Sequence, residues 1–299
     1  MHKDRRTELL DEYSIEKEAD EYLRSFLNMI SKRLDSSLIS TGFFPLDQYL
    51  NGGFHYGQLI TMGARPFIGK TAFAISLIRN MLERDKKILF FSLEMSTKDI
   101  ISRLVASISG VSLHDISNND LDELPKVVSA LSYLFDKRLY IVDIPSASIE
   151  TLLDITRRAV TEKHLDCIII DHFRLIGGVD SSSDEYERVA SQLKDLAKYL
   201  NVPIITMFQF PRDDKQGEPS LSEVPCIMNS LVDGSEVVLF LHRHRSQIEE
   251  DQCCIVARDN DKSLQVAKVI IAKNMNGDIG HTLLGFNGST TSFENIETH

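Results

Sequence analysis

The chain has 299 residues, of which 42% are hydrophobic and 26% are charged, a composition typical of a globular protein. No apolar run approaches the roughly 20 residues needed to cross a bilayer, and the first residues lack the apolar core of a signal peptide. The four cysteines at positions 167, 226, 253 and 254 show no C-x-x-C spacing, so neither a zinc site nor a disulfide framework is predicted. We therefore expect a cytoplasmic protein with reduced thiols and no membrane partner.

The acidic charge balance limits the classes of partner. Against 33 Lys and Arg stand 44 Asp and Glu, which gives a formal net charge of -11. Proteins that grip nucleic acid through their own surface are usually basic. An acidic chain can still line the inner channel of a ring with positive charge, so the balance weakens a prediction of DNA binding without excluding it.

The first predicted element is an amphipathic helix over residues 8–34. Its apolar residues recur at three- and four-residue spacings on one face: Ala19, Tyr22, Leu23, Phe26, Leu27, Ile30 and Leu34. The polar stretch 35–37 ends this helix, and we predict a helical segment over 1–39 followed by a main domain over 40–299. Packing on its own domain and docking on a neighbouring subunit both remain open for the apolar face.

From about residue 40, short apolar runs alternate with helical patterns, which predicts an α/β fold with a mostly parallel sheet covered by helices. Strands are predicted at 59–63, 87–93, 138–143, 166–171, 202–208 and 236–241. Helices are predicted at 71–84, 96–109, 121–135, 148–163 and 184–200. Two further runs, 266–273 and 281–286, flank Asn276-Gly277, a signal for a hairpin turn. The stretches 180–184 and 213–230 are predicted to be mobile loops.

The stretch Gly63-Ala64-Arg65-Pro66-Phe67-Ile68-Gly69-Lys70-Thr71 lies between the first of these strands and the first of these helices. A strand, a tight loop ending in Gly-Lys-Thr and a helix together form a phosphate-binding loop. The loop amides and the positive end of the helix favour a polyphosphate, Lys70 supplies a charge to it, and Thr71 supplies a hydroxyl to Mg²⁺. We therefore predict ATP and Mg²⁺ as cofactors. Ala64 replaces the first glycine of the strict pattern, which alanine can do if its φ stays negative.

Polar residues at the carboxyl ends of the other strands are candidates for the remaining chemistry, because ligands bind at that edge of an open sheet. Glu94 follows the second strand and is a candidate general base. Asp143 and Asp171 compete for the Mg²⁺ side, and Asp171 is favoured because it ends the more apolar strand. Gln209 ends the fifth strand and can sense a γ-phosphate. Any one of these residues alone could also be a helix cap or a solvated turn residue.

With these residues in place, the region 40–296 resembles the C-terminal motor domain of DnaB-type replicative helicases, a RecA-like P-loop NTPase. The resemblance lies in the following pieces, which occur in order: Ser40-Thr41-Gly42-Phe43 with Leu46-Asp47, Ala64-Arg65-Pro66 through Gly69-Lys70-Thr71, Phe91-Ser92-Leu93-Glu94-Met95, Ile170-Asp171, Leu193-Lys194 through Val202-Pro203, Gln209, and Asn276-Gly277 with Phe286-Asn287-Gly288. Members of the family also carry Ala at the position of Ala64.

The resemblance implies a ring-shaped homo-oligomer, a hexamer, that hydrolyses ATP between subunits and moves along single-stranded DNA. It implies that Glu94 activates water, that Gln209 couples hydrolysis to motion, and that Thr71 and Asp171 hold Mg²⁺. The nucleotide-binding residues that it implies are Ala64, Arg65, Pro66, Ile68, Gly69, Lys70, Thr71, Ala72 and, from the neighbouring subunit, Lys273. The helix before residue 34 is similar to the family's linker helix, and the family's N-terminal helical domain has no counterpart in this chain, which suggests either a shorter relative or part of a longer protein.

Two departures from the family pattern bear on activity. The family typically has Lys-Gln-Arg-Asn-Gly near its end, where this chain has Lys273-Asn274-Met275-Asn276-Gly277. Met275 thus occupies the place of an arginine finger, a group worth about 10³–10⁵ in turnover, unless Arg243 or Arg245 replaces it. The DNA-facing Arg-Glu-x-Gly of the family aligns with the neutral stretch 226–229, which weakens the predicted contact to DNA.

Three interpretations remain open at this point. The first is an active hexameric DNA helicase. The second is a paralogue that binds ATP without efficient hydrolysis and acts as a regulatory or binding module. The third is another RecA-like ATPase, which the pieces Ala64-Arg65-Pro66 and Leu93-Glu94-Met95 disfavour.

Overall fold

The computed structural model describes residues 38–118, 120, 122–145, 147–177, 183–211, 217–243, 256–257 and 263–296. Its strands are β1 (Leu38–Ile39), β2 (Phe54–His55), β3 (Leu59–Ala64), β4 (Ile88–Ser92), β5 (Leu139–Asp143), β6 (Cys167–Asp171), β7 (Ile204–Gln209), β8 (Val237–Arg243), β9 (Val256–Ala257), β10 (Ser263–Asn274), β11 (Gly280–Asn287) and β12 (Ser292–Glu294). Its α-helices are α1 (Phe44–Tyr49), α2 (Lys70–Glu83), α3 (Thr97–Ser109), α4 (Leu113–Asn118), α5 (Leu124–Phe135), α6 (Ile149–Lys163), α7 (Ser183–Leu200) and α8 (Asn229–Gly234).

One large sheet organises the fold, with the strand order β12-β11-β10-β8-β3-β7-β6-β4-β5 and with β9 paired to β10. The strands from β8 to β5 in this order are parallel, whereas β10, β11 and β12 continue the sheet antiparallel. The central strand β3 is buried along its whole length, as expected for a parallel strand covered on both faces. The phosphate-binding sequence therefore leaves the middle of the sheet.

Helices cover both faces of this sheet and enclose two apolar cores. Helices α1, α2 and α3 contribute Leu46, Phe73 and Leu104 to the first core. Helices α6, α7 and α8 contribute to the second, which also holds three phenylalanines near the carboxyl edge of the sheet: Phe208, Phe210 and Phe240. Parallel strands with helices on both faces place all their carboxyl ends at one edge, where a ligand site is expected.

The alternation read from the sequence is confirmed, with boundaries that agree within about two residues for all six parallel strands and within about three for the five long helices. The hairpin around Asn276-Gly277 is confirmed as β10 and β11. The short elements α1, α4, α8, β1, β2, β9 and β12 were not predicted. The stretch 213–230 is not a simple loop where it is described, because it contains the 3-10 turns Leu221–Glu223 and Cys226–Met228 and the first residues of α8.

The helix predicted over residues 8–34 lies outside the described residues, and the boundary near residue 39 stays a prediction. In the part of the chain that the structure describes, no helix combines the length and apolar character needed to cross a membrane.

Candidate functional site

The phosphate-binding sequence forms a short loop between the end of β3 at Ala64 and the start of α2 at Lys70. Gly69 adopts φ 112°, and the ring of Phe293 lies 3.3 Å from the place a Cβ would take. A side chain is therefore strained by the backbone conformation and crowded by the packing behind it. Pro66, Ile68 and Ala72 are buried, so the loop presents its backbone and the first turn of a 14-residue helix, the arrangement that binds anions.

Asp171 lies directly against the two residues that end this loop. Its Oδ1 accepts a short hydrogen bond from Lys70 Nζ, and its Oδ2 accepts one from Thr71 Oγ1 at 2.6 Å. The carboxylate is 2% exposed. A carboxylate and a hydroxyl are hard oxygen ligands, so Asp171 and Thr71 fit Mg²⁺. The competing Asp143 instead accepts from the Thr97 amide at 2.9 Å, at the start of α3.

Burial controls the electrostatics of Lys70. Desolvation lowers the pKa of its ammonium group to about 8, and the negative charge of Glu94 opposes this shift. His172, next to Asp171, is also buried, and desolvation together with the charges of Lys70 and Arg174 lowers its pKa to about 3. His172 is therefore neutral near pH 7, and its Nδ1 accepts from the Arg174 amide at 3.3 Å. Lys70 supplies the positive charge here, and His172 was not identified from the sequence.

Glu94 and Gln209 reach the same edge of the sheet from opposite sides of Asp171. Glu94 follows β4, whose last residue, Ser92, pairs with Asp171, and its side chain is exposed. Gln209 pairs with Ala64 across β7 and β3 and is partly exposed. Neither side chain makes a hydrogen bond within the described residues, so both are available to a water molecule or a phosphate.

Lys273 and Met275 lie at the other edge of the sheet. Strand β10 ends beside the beginning of β8, where Asn274 pairs with Val237, whereas the phosphate loop follows the end of the parallel strand β3, where Ala64 pairs with Leu241. Lys273 Nζ donates to the carbonyl of Asp233 at 2.8 Å, and Met275 is 60% exposed. These hairpin residues therefore lie away from the phosphate loop of their own chain.

Arg243, considered above as a replacement finger, contacts the phosphate loop of its own chain. Its Nη2 donates to the Phe67 carbonyl at 3.3 Å, and its guanidinium lies 3.9 Å from the centroid of the Phe286 ring. No sequence pattern indicated this arrangement, because the three residues come from three distant segments. Arg243 is therefore placed in cis, and Arg245 lies outside the described residues.

The stretch aligned with the family's DNA-facing residues is packed against the protein. Cys226–Met228 form a 3-10 turn, and Met228 is fully buried. Cys226 and Asn229 are exposed but carry no positive charge. Arg65 belongs to the loop by its backbone, but its guanidinium contacts Glu223 at 3.3 Å.

Comparisons with known proteins show the family to which the chain belongs. Residues 39–295 match the model of the DnaB-like helicase C-terminal domain family. The replicative DNA helicase DnaB of Treponema pallidum (strain Nichols) is 33% identical over 261 residues, which cover 85% of this chain and 55% of that protein. The corresponding protein of Helicobacter pylori (strain ATCC 700392 / 26695) is 28% identical over 321 residues, which cover 93% of this chain and 65% of that protein.

Two solved structures share the fold. One is an ATPase domain that superposes with a TM-score of 0.79 at 25% identity, over 93% of this chain and 98% of that one. The other is a DnaB-like replicative helicase, solved in a study of its interactions with primase, with a TM-score of 0.76 at 24% identity, over 93% of this chain and 67% of that one. The resemblance inferred from the motifs and the RecA-like fold class are confirmed. The chain spans 55% to 65% of the length of the two curated relatives, and it belongs to the DnaB-like helicase C-terminal domain family.

Proposed function

We propose that this DnaB-like domain is an ATP-hydrolysing motor of a ring-shaped DNA helicase that acts in DNA replication in the cytoplasm. The observation that carries the proposal is the contact of Asp171 with both Lys70 and Thr71. It brings a cation, a hydroxyl and a carboxylate together at the start of α2, where an anion is favoured by the helix dipole. Those are the groups that hold the phosphates and the metal ion in P-loop NTPases.

Each site residue has a proposed role in ATP hydrolysis. The loop from Ala64 to Ala72 binds the phosphates through its backbone and Lys70, while Thr71 and Asp171 hold Mg²⁺. Glu94 orients and activates the attacking water, and Gln209 senses the γ-phosphate. The exposure of Glu94 and the absence of a hydrogen bond to its side chain within the described residues support this role, because a general base must be able to reach the proton that it takes.

We propose that the ring is a homo-hexamer in which Lys273 of one subunit reaches the nucleotide of the next. Lys273 lies near the end of β10, at the edge of the sheet opposite the phosphate loop of its own chain. This position supports a role of Lys273 at the nucleotide of a neighbouring subunit. Helix α5 offers a surface for assembly, because exposed apolar side chains recur along it at intervals of three and four residues: Leu124, Val128, Leu131 and Phe135.

The assembly proposal can be tested by solution mass. Phe135→Asp places a charge on this surface of α5 at a side chain that is 86% exposed, and Tyr199→Asp on α7 is a matched control at a side chain that is 81% exposed. We expect Phe135→Asp to shift the oligomer toward monomers and Tyr199→Asp to leave it unchanged. A wild type that stays monomeric at all concentrations, with and without ATP, would contradict the ring.

The second candidate function is an ATP-binding regulatory module with little hydrolysis or translocation. Met275 favours it, because methionine offers no hydrogen-bond donor to a neighbour's phosphates, and so does the absence of a cation from 226–229. We would measure ATP turnover with and without single-stranded DNA together with the mass of the oligomer. DNA-stimulated turnover by a hexamer supports the motor, whereas ATP binding without stimulated turnover supports the module.

Met275→Arg distinguishes the two candidates further. The Met275 amide donates to the Glu236 carbonyl at 3.0 Å, which fixes the backbone while the exposed side chain changes, so we expect little loss of stability. If the missing finger limits turnover, Met275→Arg raises it by up to about 10³, and Met275→Gln, which adds polarity without charge, does not. Equal turnover in all three proteins would show that the finger position is not limiting.

A further inference from the structure

We propose that Arg65 is a positioning residue that transmits the state of the phosphate loop to the segment from Gly217 to Glu223. The inference rests on the proposed function for its ligand, ATP, and goes beyond it in assigning a physical connection between that site and the predicted DNA-facing stretch 226–229. We call the contacts of Arg65 with Phe210, Gly217 and Glu223 the Arg65 clasp.

The guanidinium of Arg65 points away from the phosphate loop although its backbone belongs to the loop. Its Nη2 lies 3.3 Å from both carboxylate oxygens of Glu223, and its Nε donates to the Gly217 carbonyl at 3.4 Å. Arg65 is 9% exposed. An ion pair that is largely withdrawn from water holds its two partners in a defined geometry more firmly than one on the surface.

The backbone of Arg65 takes part in the turn that forms the phosphate loop. Its carbonyl accepts a hydrogen bond from the Ile68 amide at 3.4 Å. A change in the loop when phosphate binds therefore moves the residue that carries the guanidinium. One residue thus connects the loop conformation to the position of Glu223.

The clasp also includes Phe210, the first residue after β7. The guanidinium carbon lies 5.8 Å from the centroid of the Phe210 ring, within the range of a cation–π contact. Phe210 directly follows Gln209, and its amide donates to the Ala64 carbonyl at 3.0 Å. Ala64 and Arg65 therefore contact the chain both at Phe210, directly after β7, and at Gly217 and Glu223.

Only Val224 and Pro225 separate Glu223 from the stretch 226–229, which aligns with the family's DNA-facing residues. A carboxylate oxygen of Glu223 accepts from the Ser220 amide at 3.2 Å, which fixes the first 3-10 turn. Val224 is buried and Pro225 begins the turn Cys226–Met228. A displacement of Glu223 is thus passed to 226–229 by covalent connection and short turns. This is a contiguous physical network of the kind that can carry coupling between two sites.

A second anchor of the same segment provides a control. Glu218 accepts a short hydrogen bond from Lys268 on β10, which holds the segment to the sheet without involving the phosphate loop. If the clasp merely kept the segment folded, loss of either anchor would have the same effect. If it couples the two sites, only loss of the Arg65 contact removes the response to nucleotide.

Hydrogen exchange of the backbone amides in 217–228 tests the inference, measured with and without a non-hydrolysable ATP analogue and Mg²⁺. In the wild type we expect the analogue to change the exchange rates at least about fivefold, the lower end of typical coupling between sites. In Glu223→Gln we expect less than a twofold change, while the affinity for a fluorescent ATP analogue stays within about twofold of wild type. Glu218→Gln keeps the response, as does Glu150→Gln, which removes a surface ion pair with Arg188.

The outcomes separate this inference from the proposed function. A wild type that does not bind the analogue overturns the proposed function and the inference with it. A wild type that binds the analogue without a change in hydrogen exchange overturns the inference alone. The same holds if Glu223→Gln responds to the analogue like wild type, or if Glu218→Gln loses as much of the response as Glu223→Gln does. If Glu223→Gln does not fold, Glu223→Asp, which keeps the charge on a shorter arm, is expected to give an intermediate response, and a full response from it counts against the clasp.

Discussion

Asp171→Asn removes the carboxylate that lies against Lys70, and the burial of Lys70 determines how much stability is lost. Breaking a buried ion pair costs about 3–5 kcal/mol when the remaining ion has to stay charged. Lys70 is 7% exposed, and burial already lowers its pKa to about 8. It can therefore release its proton and remain buried as a neutral amine.

Deprotonation of Lys70 limits the stability that Asp171→Asn can lose. Deprotonating an ordinary lysine at pH 7 costs about 5 kcal/mol, from roughly 1.4 kcal/mol per pKa unit. The wild type already carries about 3 kcal/mol of this cost, since the pKa of Lys70 is about 8 instead of 10.5. Asp171→Asn can add about 1–2 kcal/mol through Lys70, and the amide oxygen can still accept from Thr71. We expect a total loss of about 2 kcal/mol at pH 7, below the range for an ion that cannot neutralise.

The pH dependence gives a sharper test. The pKa of Lys70 is lower in the folded than in the unfolded chain, so the unfolded chain binds more protons between the two values and stability rises with pH there. The rise begins near pH 8 in the wild type. We expect it at lower pH in Asp171→Asn, because removing a carboxylate that contacts a buried ammonium group lowers the pKa of that group further. The free energy of unfolding of Asp171→Asn should therefore approach that of the wild type by about 1 kcal/mol from pH 7 to pH 8.

Urea unfolding without nucleotide, followed by circular dichroism at pH 7 and pH 8, measures this difference. Asp143→Asn is the control, because its carboxylate accepts from the Thr97 amide and lies against no buried lysine in the described residues. Its loss should be the same at both pH values. A loss in Asp171→Asn that is equally large at pH 7 and pH 8, or that exceeds about 4 kcal/mol, the middle of the range for an ion that stays charged, would refute the reasoning that Lys70 neutralises.

Three further results are expected. Gly69→Ala forces a side chain into φ 112° against Phe293, and thermal melting should report a loss of about 1–3 kcal/mol; an unchanged melting temperature would contradict this conformation. Phe293→Ala removes a fully buried ring whose centroid lies 4.9 Å from that of Phe286, which should cost about 3–5 kcal/mol in urea unfolding, against little change for the exposed Met275→Ala. Affinity for a fluorescent ATP analogue should fall as the pH rises above about 8, because Lys70 loses its charge through that range, and Lys70→Ala, weaker at every pH, should lose this pH dependence.

The parallel strands could be predicted because burial on both faces requires continuous apolar runs, which stand out in any sequence. The choice of Asp171 over Asp143 followed from the same property, and the structure puts Asp171 in the interior strand β6 and Asp143 in the edge strand β5. Strand β12 was missed because three residues are too short to show an alternation. Helix α8 was missed because a Pro- and Ser-containing stretch resembles a loop until its burial is known.

The directions of the side chains within the site could not be predicted from the sequence. Arg65 was assigned to the nucleotide as part of the loop, but its partner Glu223 lies 158 residues further along the chain, and no local pattern connects them. Asp47 illustrates the opposite case. It occurs in a stretch that suggested the family, and its carboxylate accepts hydrogen bonds from Ser40, at 2.6 Å, and from Thr41. A motif residue can thus be present for the fold of one corner and not for the chemistry.

The contact between Lys70 and Asp171 means that each of these two ions needs a replacement partner when a ligand separates them. If the ammonium group turns from Asp171 to a phosphate, the carboxylate becomes a buried anion without that counterion. A nucleotide that arrives with its own divalent cation supplies both replacements in one step, an anion for Lys70 and a cation for Asp171. Metal-free nucleotide supplies only one, so under the proposed function we expect the Lys70–Asp171 contact to favour binding of the metal complex over the metal-free nucleotide.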